Sequence, residues 1–467
     1  MTATANFDAS VLPRTLVRSV FAATVMLSIF LVKWSIAGIP IRSMTALLVI
    51  FAVGAWRPDM LFHSLRESRT VICIIALSAL IGAVSSLLNS NDAAEVGRQL
   101  LELHVQAIVG TILGVVVRET CGARTIMRAF AMAVGISAVV AVLQFLDVRA
   151  AWNARHILDS LQQADAYNAH TEGSLAPGRA MGLSYTPVHL ATQLCLLFAA
   201  IFAYRLRLLG DGLFAKADAG LLLTSAALAA VAVASGNRSP LLGMLVFIVF
   251  YLWVTQRGSA IMLAAVALSC FPLVLALPEA LRSLGLRIGE TADGSAVGRT
   301  VLEVYGLLLF LARPIGYGLT FDSTEHWVGF WSYVKDFDNA SAIATYALHN
   351  YFLMMVNKYG FPILFLAGAI LWNLARYRWA LLGFVPYAIH IFFHNDGPLQ
   401  GDFLIWYIFP MYAGFARPSS VRRPAVMPPG LIARWATGPK SRDGLRPPAG
   451  FRVPERGAIS LKAKETT

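Results

Sequence analysis

The sequence predicts an all-α integral membrane protein with about twelve transmembrane helices. Of its 467 residues, 57% are hydrophobic and only 14% are charged, whereas about 25% of the residues in a soluble domain are charged. Long apolar runs recur along the chain, and Arg and Lys cluster in every second connection between them. These observations exclude a soluble enzyme, a disordered chain and a fibrous repeat.

A bilayer core takes about 20 mostly apolar residues per helix. Twelve runs are predicted spans, at about 17–37, 40–56, 70–88, 100–117, 126–146, 186–204, 219–235, 240–256, 259–277, 350–374, 378–393 and 402–415. Two connections are too long to be simple turns, at about 147–185 and 278–348. In the second connection a helix is predicted, with an apolar face made of Leu302, Tyr305, Leu308, Leu309 and Ala312.

The basic residues predict the orientation, because cytoplasmic connections are enriched in Arg and Lys. The connection with Arg57, Arg66 and Arg69 is one of several basic inner loops. We therefore expect a cytoplasmic N-terminus at 1–16, a polytopic domain at 17–415 and periplasmic placement of both long connections. An uncleaved first helix is preferred, although Ser35-Ile36-Ala37 resembles a signal-peptide cleavage site.

The formal net charge of +12 is concentrated at the C-terminus. Residues 416–467 contain eleven Lys and Arg, three Asp and Glu, and eight prolines. This composition predicts a disordered cytoplasmic tail that can lie on anionic lipid, and it argues against a nucleic-acid-binding surface. The four cysteines form no CxxC motif, so neither a disulfide framework nor a zinc site is expected.

Several cations lie at predicted outer boundaries of the membrane, where they are less expected than at inner ones. Arg179, Arg238 and Arg299 each stand beside a span or at the start of a helix, and His349 and Asn350 begin another span. Guanidinium groups bind phosphate bidentately, and a histidine with a near-neutral pKa can accept a proton from a sugar hydroxyl.

Each of these residues also has an ordinary explanation. Arg179 can reach lipid phosphate, Arg238 can be a loop charge or bind helix-end carbonyls, and Arg299 can pair with Glu303. His349 can be a satisfied interfacial histidine. No acidic DxD pair stands near them on the outer side, so neither a metal nor another cofactor is expected.

Four segments resemble the bacterial O-antigen ligase and polysaccharide polymerase superfamily. They are GRAMGLSYTPVHLATQL with Arg179, SGNRSP with Arg238, GRTVLEVYGLLLFLARPIGYGLTF with Arg299, and HNYFLMMVNKYG with His349 and Asn350. The resemblance extends from about Arg179 to Phe415. The order of the segments and their shared outer placement make the set fairly specific.

The resemblance implies a GT-C-like, metal-independent, inverting glycosyltransferase of the bacterial inner membrane. Such a protein moves a glycan from an undecaprenyl diphosphate carrier to a glycan or lipid A-core acceptor, and membrane lipid and polysaccharide assembly proteins are further expected partners. Arg238, Arg299 and His349 would be catalytic, with His349 as base or acceptor-positioning group. Arg179 and Asn350 would bind substrate.

The sequence departs from the family's ligase motif at one point that bears on the choice of acceptor. FPILF follows Gly360 where the ligase motif continues with Gly-Thr-Thr, which leaves a polymerase open beside a ligase. HNDGPLQGD faces the same side, and its His394 is a candidate for binding substrate, with Asp396 and Asp402 as minor candidates. A polar loop between two spans is the ordinary explanation of this segment, and it is preferred. Two other classes remain alternatives: a lipid-linked glycan flippase or transporter, and a non-catalytic component of a polysaccharide export complex.

Overall fold

The computed structural model describes residues 14–36, 39–162, 179–255, 294–375 and 378–412. The predicted span at 259–277 and the basic tail from Ala416 lie outside these residues. Within them the regular structure is helical, except for an antiparallel hairpin of β1, Ser35–Ile36, and β2, Ile39–Pro40.

The helices follow the hydropathy pattern of the sequence. The first eight are α1 Arg14–Phe30, α2 Ile41–Trp56, α3 Pro58–Leu88, α4 Ala93–Gln99, α5 Gln106–Cys121, α6 Ala123–Phe145, α7 Arg149–Gln162 and α8 Pro187–Leu209. The next ten are α9 Ala219–Ala234, α10 Arg238–Thr255, α11 Gly294–Ala312, α12 Trp327–Val334, α13 Ala342–Thr345, α14 Tyr351–Tyr359, α15 Pro362–Ala375, α16 Arg378–Leu381, α17 Val385–Phe392 and α18 Leu404–Tyr412.

Five helices of the described chain are long and apolar enough to cross a membrane. They are Pro58–Leu88, Ala93–Cys121, Ala123–Phe145, Pro187–Leu209 and Arg238–Thr255. The second of these joins α4 to α5 through a π-helical segment, Leu100–Val105. Shorter apolar helices occupy Ile41–Trp56, Ala219–Ala234 and Leu382–Phe392. The all-α membrane architecture is therefore confirmed, and the count of twelve spans stays a prediction.

The predicted span at 350–374 is not one helix. α14 ends at Tyr359, and α15 begins at Pro362. Gly360 between them has φ +72°, and a Cβ there would lie 2.1 Å from the carbonyl oxygen of Ile315. The chain breaks here because the backbone of another segment passes directly against it. The predicted span at 378–393 is also interrupted, by a 3₁₀ turn at Leu382–Phe384.

The passing segment is Pro314–Gly318, the end of the Gly-Arg helix motif. Its backbone bonds to α14, with Tyr317 N donating to Asn357 O over 2.7 Å and Phe361 N donating to Pro314 O over 2.7 Å. On its other side, Asn89 and Asn91 after α3 donate their side-chain amides to Gly316 O and Tyr317 O over 2.9 and 3.0 Å. The segment therefore links α3, α11 and α14.

The connection around α11–α13 has its own hydrophobic core. Three members of the predicted α11 face, Leu302, Tyr305 and Leu309, are buried there, and Leu308 is partly buried. Ala312 is exposed, so its predicted place on that face is wrong, because the helix ends there and turns into Pro314–Gly318. The other long connection contains a helix that was not predicted, α7.

Replacing Gly360 by Ala tests the backbone crossing. We expect Gly360→Ala to lower the free energy of unfolding by about 2 kcal/mol or more, because a Cβ meets backbone atoms and the φ is left-handed. Gly368→Ala in α15 is the matched control, since nothing lies within 4 Å of its Cβ position. Thermal unfolding in detergent measures both, and equal midpoints for the two variants would contradict the close approach.

Candidate functional site

The loop that carries Arg179 is fixed by a buried amide. Gln144 Oε1 accepts from Met181 N and Gly182 N over 3.0 and 2.8 Å, and Gln144 Nε2 donates to Gly182 O over 3.0 Å. Gly182 has φ +61°, and a Cβ there would lie 2.2 Å from Ser137 O. These contacts tie residues 181–182 to α6 immediately after Arg179.

Arg179 reaches the turn that precedes α10. Its Nη2 donates to Asn237 Oδ1 over 2.6 Å, and its Nε donates to Ser235 O over 3.3 Å. Asn237 is buried and donates in turn to Pro187 O over 2.8 Å. Because Arg238 follows Asn237 directly and starts α10, the structure brings the segments of two predicted arginines together. The side chain of Arg238 is exposed.

Arg299 and His349 come from neighbouring helices. α11 carries Arg299, and Asn357 of α14 donates its side-chain amide to Gly306 O of α11 over 2.9 Å. Leu348 N donates to Ser323 Oγ over 3.1 Å, which fixes the backbone immediately before His349. α11 and α14 therefore pack together, and the charge of Arg299 acts on His349.

His349 is arranged as a proton acceptor. Its Nδ1 lies 2.7 Å from Ala347 O, and a carbonyl only accepts, so Nδ1 carries the hydrogen and Nε2 keeps its lone pair. Burial lowers the pKa of His349, the bond to Ala347 raises it, the charge of Arg299 lowers it, and the charge of Asp396 raises it. The net shift is downward, so the imidazole is neutral at pH 7.

Asn350 has a structural task in the described chain. Its Oδ1 accepts from Phe352 N and Leu353 N over 3.0 and 3.2 Å, which caps the N-terminus of α14. Its side chain is buried. The cap fixes the start of the helix beside His349, so Asn350 positions the histidine whether or not it contacts substrate.

His394 belongs to a chain of hydrogen bonds. Thr192 donates to Val188 O over 3.1 Å, so its oxygen accepts from His390 Nε2 over 2.9 Å. Ser239 Oγ then donates to His390 Nδ1 over 2.9 Å and accepts from His394 Nε2 over 3.2 Å. This order leaves the lone pair of His394 on Nδ1.

The pKa of His394 is influenced by several of the predicted site residues. Burial is the main cause that lowers the pKa of His394 well below its usual value. The charges of Arg299 and Arg179, and those that His390 and His349 carry when protonated, lower it further. Side chains from four separate segments thus act on one imidazole. Ser239, next to Arg238, contacts the same ring.

Sequence reasoning did not single out His390 and Ser239, and it kept Asp396 only as a minor candidate. His390 stands four residues before His394, and this helical spacing was the available signal. Asp396 influences His349 electrostatically. In the described ranges, no group of three or more His, Cys, Asp or Glu is placed to hold a metal ion.

Asn350 offers a test of positioning. We expect Asn350→Ala to lower the free energy of unfolding by about 1 kcal/mol through loss of the cap, and to reduce the turnover number with little change in donor affinity. Asn350→Asp should restore both, because Asp caps as well as Asn. Thermal unfolding and steady-state kinetics measure these effects. An Asp variant as slow as the Ala variant would show that the amide itself is needed.

One comparison with known proteins found a family for part of the chain. A family model described as O-antigen ligase matches residues 223–368, and no curated protein matches the chain. The matched region contains Arg238, Arg299, His349 and Asn350, whereas Arg179 and His394 lie outside it. The match over this region supports the resemblance to the O-antigen ligase and polysaccharide polymerase superfamily that the motifs predicted.

Proposed function

We propose that this protein transfers an oligosaccharide from undecaprenyl diphosphate to an acceptor hydroxyl on the periplasmic face of the bacterial inner membrane. The observation that carries the proposal is that Arg179 binds Asn237 in the turn before Arg238, and that Ser239, directly after Arg238, contacts His394. The charge of Arg299 acts on both His394 and His349. Cations from separate segments beside one neutral imidazole are what a diphosphate leaving group and a hydroxyl nucleophile require together.

The arginines would bind the diphosphate of the donor. Their guanidinium groups stay charged and form paired hydrogen bonds to phosphate oxygens. α10 begins at Arg238, so its N-terminal amides add positive potential in the same place. As the glycosyl bond breaks, negative charge grows on the leaving oxygen, and fixed cations stabilise it without a divalent metal.

His349 would act as the general base. The acceptor hydroxyl oxygen attacks the anomeric carbon, and its proton passes to Nε2 of His349, the nitrogen that the bond to Ala347 leaves with a lone pair. The bond from the anomeric carbon to the diphosphate oxygen breaks, and the lipid diphosphate leaves with the electron pair. A single displacement of this kind inverts the anomeric centre. Asn350 positions His349, and His394 contributes a hydrogen-bond acceptor to the substrate.

One reconstitution tests the function. Purified protein in lipid nanodiscs is incubated with an undecaprenyl-diphosphate-linked glycan and a metal chelator, with and without lipid A-core. A ladder of products without lipid A-core indicates polymerisation, and a single transfer onto lipid A-core indicates ligation. Glycan that moves across the bilayer with its diphosphate bond intact would instead identify a flippase.

Substitutions of Arg299 distinguish how the shape of its guanidinium group and how its charge affect the rate of transfer. We expect Arg299→Lys to lower kcat by about 10²-fold, because a bidentate fork becomes a point charge. The acidic limb of its pH–rate profile should stay at the wild-type position, below the usual histidine pKa of about 6.5, because the cation that lowers the pKa of His349 is kept.

Arg299→Gln is the matched variant. Loss of the cation removes one cause of the lowered pKa, so the acidic limb should move to higher pH. The pH dependence of kcat/KM for the three proteins measures this. Identical limbs in all three would argue against His349 as the titrating base, and wild-type activity in Arg299→Lys would argue against direct contact with the diphosphate.

A further inference from the structure

A polar cavity is lined by His189 and Asp396 and by none of the arginine cluster of Arg179, Arg238 and Arg299. It encloses about 420 Å³, within the range of small-molecule sites. Its walls come from the β1–β2 hairpin and the start of α2, from the π-helical segment, from the start of α8, and from residues 396–406. None of these wall residues belongs to the 223–368 region that matches the family.

The charges on the cavity wall balance. Lys33, Arg42 and Arg98 are basic, and Glu102, Asp396 and Asp402 are acidic. Arg98 is already paired with Glu102 at 2.8 Å. Three acidic groups disfavour a diphosphate, so this wall differs in kind from the arginine cluster.

Several polar groups of the wall still have hydrogen-bonding capacity. The Asp396 carboxylate lines the cavity, and buried Arg42 Nε has no hydrogen-bond partner among the described residues. The guanidinium of Arg42 is held in place by Phe403, whose ring centre lies 3.8 Å away, and by a bond to Val32 O. A donor and an acceptor fixed on different segments suit a ligand whose groups both donate and accept, as sugar hydroxyls do.

The cavity also adjoins the reacting groups. Asp396 lines it and acts electrostatically on His349. His189 lines it too, with its Nδ1 2.7 Å from Thr186 Oγ1 in the loop that follows Arg179. A glycan in the cavity would therefore present a hydroxyl at the Asp396 edge, toward the base.

We propose that this cavity binds the acceptor glycan through its hydroxyl groups, an inference that rests on the proposed function. Lys33, Arg42 and Asp396 would be its principal hydrogen-bonding groups. The acceptor would then be chosen by the N-terminal part of the chain and residues 396–406, while the matched region would hold most of the donor-binding groups.

A binding experiment without donor tests the cavity. The probe is oligosaccharide from partial hydrolysis of the source cell's own surface polysaccharide, carrying a photoactivatable group at its reducing end. Full-length protein in nanodiscs is labelled, and the labelled peptides are mapped. We expect label in segments 32–42, 98–106 and 396–406. Label confined to other segments would overturn the proposal.

Neighbouring residues of β1 supply a matched pair of variants. Ser35 lines the cavity, whereas Ile36 does not and is 53% exposed. Successive side chains of a strand point to opposite faces, so Ser35→Tyr should narrow the cavity and lower labelling by about tenfold, a loss of ~1.4 kcal/mol in binding. Ile36→Tyr should label like the wild type. Lys33→Gln should weaken labelling without adding bulk. Equal labelling of all four proteins would refute the assignment.

Two further labelling measurements distinguish failure of this inference from failure of the proposed function. Inorganic diphosphate should leave glycan labelling unchanged, and displacement by it would assign the cavity to the donor instead. A photoactive prenyl diphosphate should label Ser35→Tyr as strongly as the wild type. Because glycan labelling needs no turnover, it can succeed where transfer fails, and transfer can succeed where the cavity stays unlabelled.

Discussion

Buried backbone outside regular helices needs a hydrogen-bond partner for each polar group, and amide side chains supply those partners around the site. Gln144 holds the loop after Arg179, Asn237 joins Arg179 to the turn before Arg238, and Asn350 caps the helix after His349. Each of these side chains is uncharged. They fix the geometry of the cations and leave the positive charge intact. A carboxylate in the same place would cancel part of that charge. In the proposed function, the affinity of the cluster for the diphosphate would depend on that difference.

α14 connects two hydrophobic cores. Tyr351, Met355 and Tyr359 pack in the larger core of the membrane domain, whereas Met354 packs in the smaller core around α11. The backbone crossing at Gly360 fixes the far end of the same helix. His349 stands at its start, so the helix holds the imidazole at the boundary between the two cores. Arg299 approaches from the smaller core, and Arg179 and His394 approach from the larger one.

Hydropathy predicted where most helices lie, because burial in lipid imposes a length and a composition on each one. The same signal did not predict the break at Gly360 or the end of the α11 face at Ala312. Both depend on Pro314–Gly318, which packs against residues more than 200 positions away in sequence near α3. The bonds of Ser239 to His390 and His394 were equally hidden, since they join residues 151 and 155 positions apart. The predicted arginines and His349 were marked by unusual charge at a membrane boundary, a property that one segment can show alone.

Two opposite charges, those of Arg299 and Asp396, act on His349, and this arrangement bears on the stereochemistry of the proposed reaction. In an inverting displacement, the nucleophile and the leaving group lie on opposite sides of the anomeric carbon, so the donor diphosphate and the acceptor hydroxyl must approach from different directions. Arg299, which lowers the pKa of His349, belongs to the cationic cluster proposed for the diphosphate, whereas Asp396, which raises it, belongs to the charge-balanced cavity proposed for the glycan. The pKa of His349, the proposed base, therefore responds to both regions. A displacement between two differently charged regions agrees with that arrangement, whereas a reaction in which both substrates entered the cationic cluster would leave Asp396 and its cavity without a role.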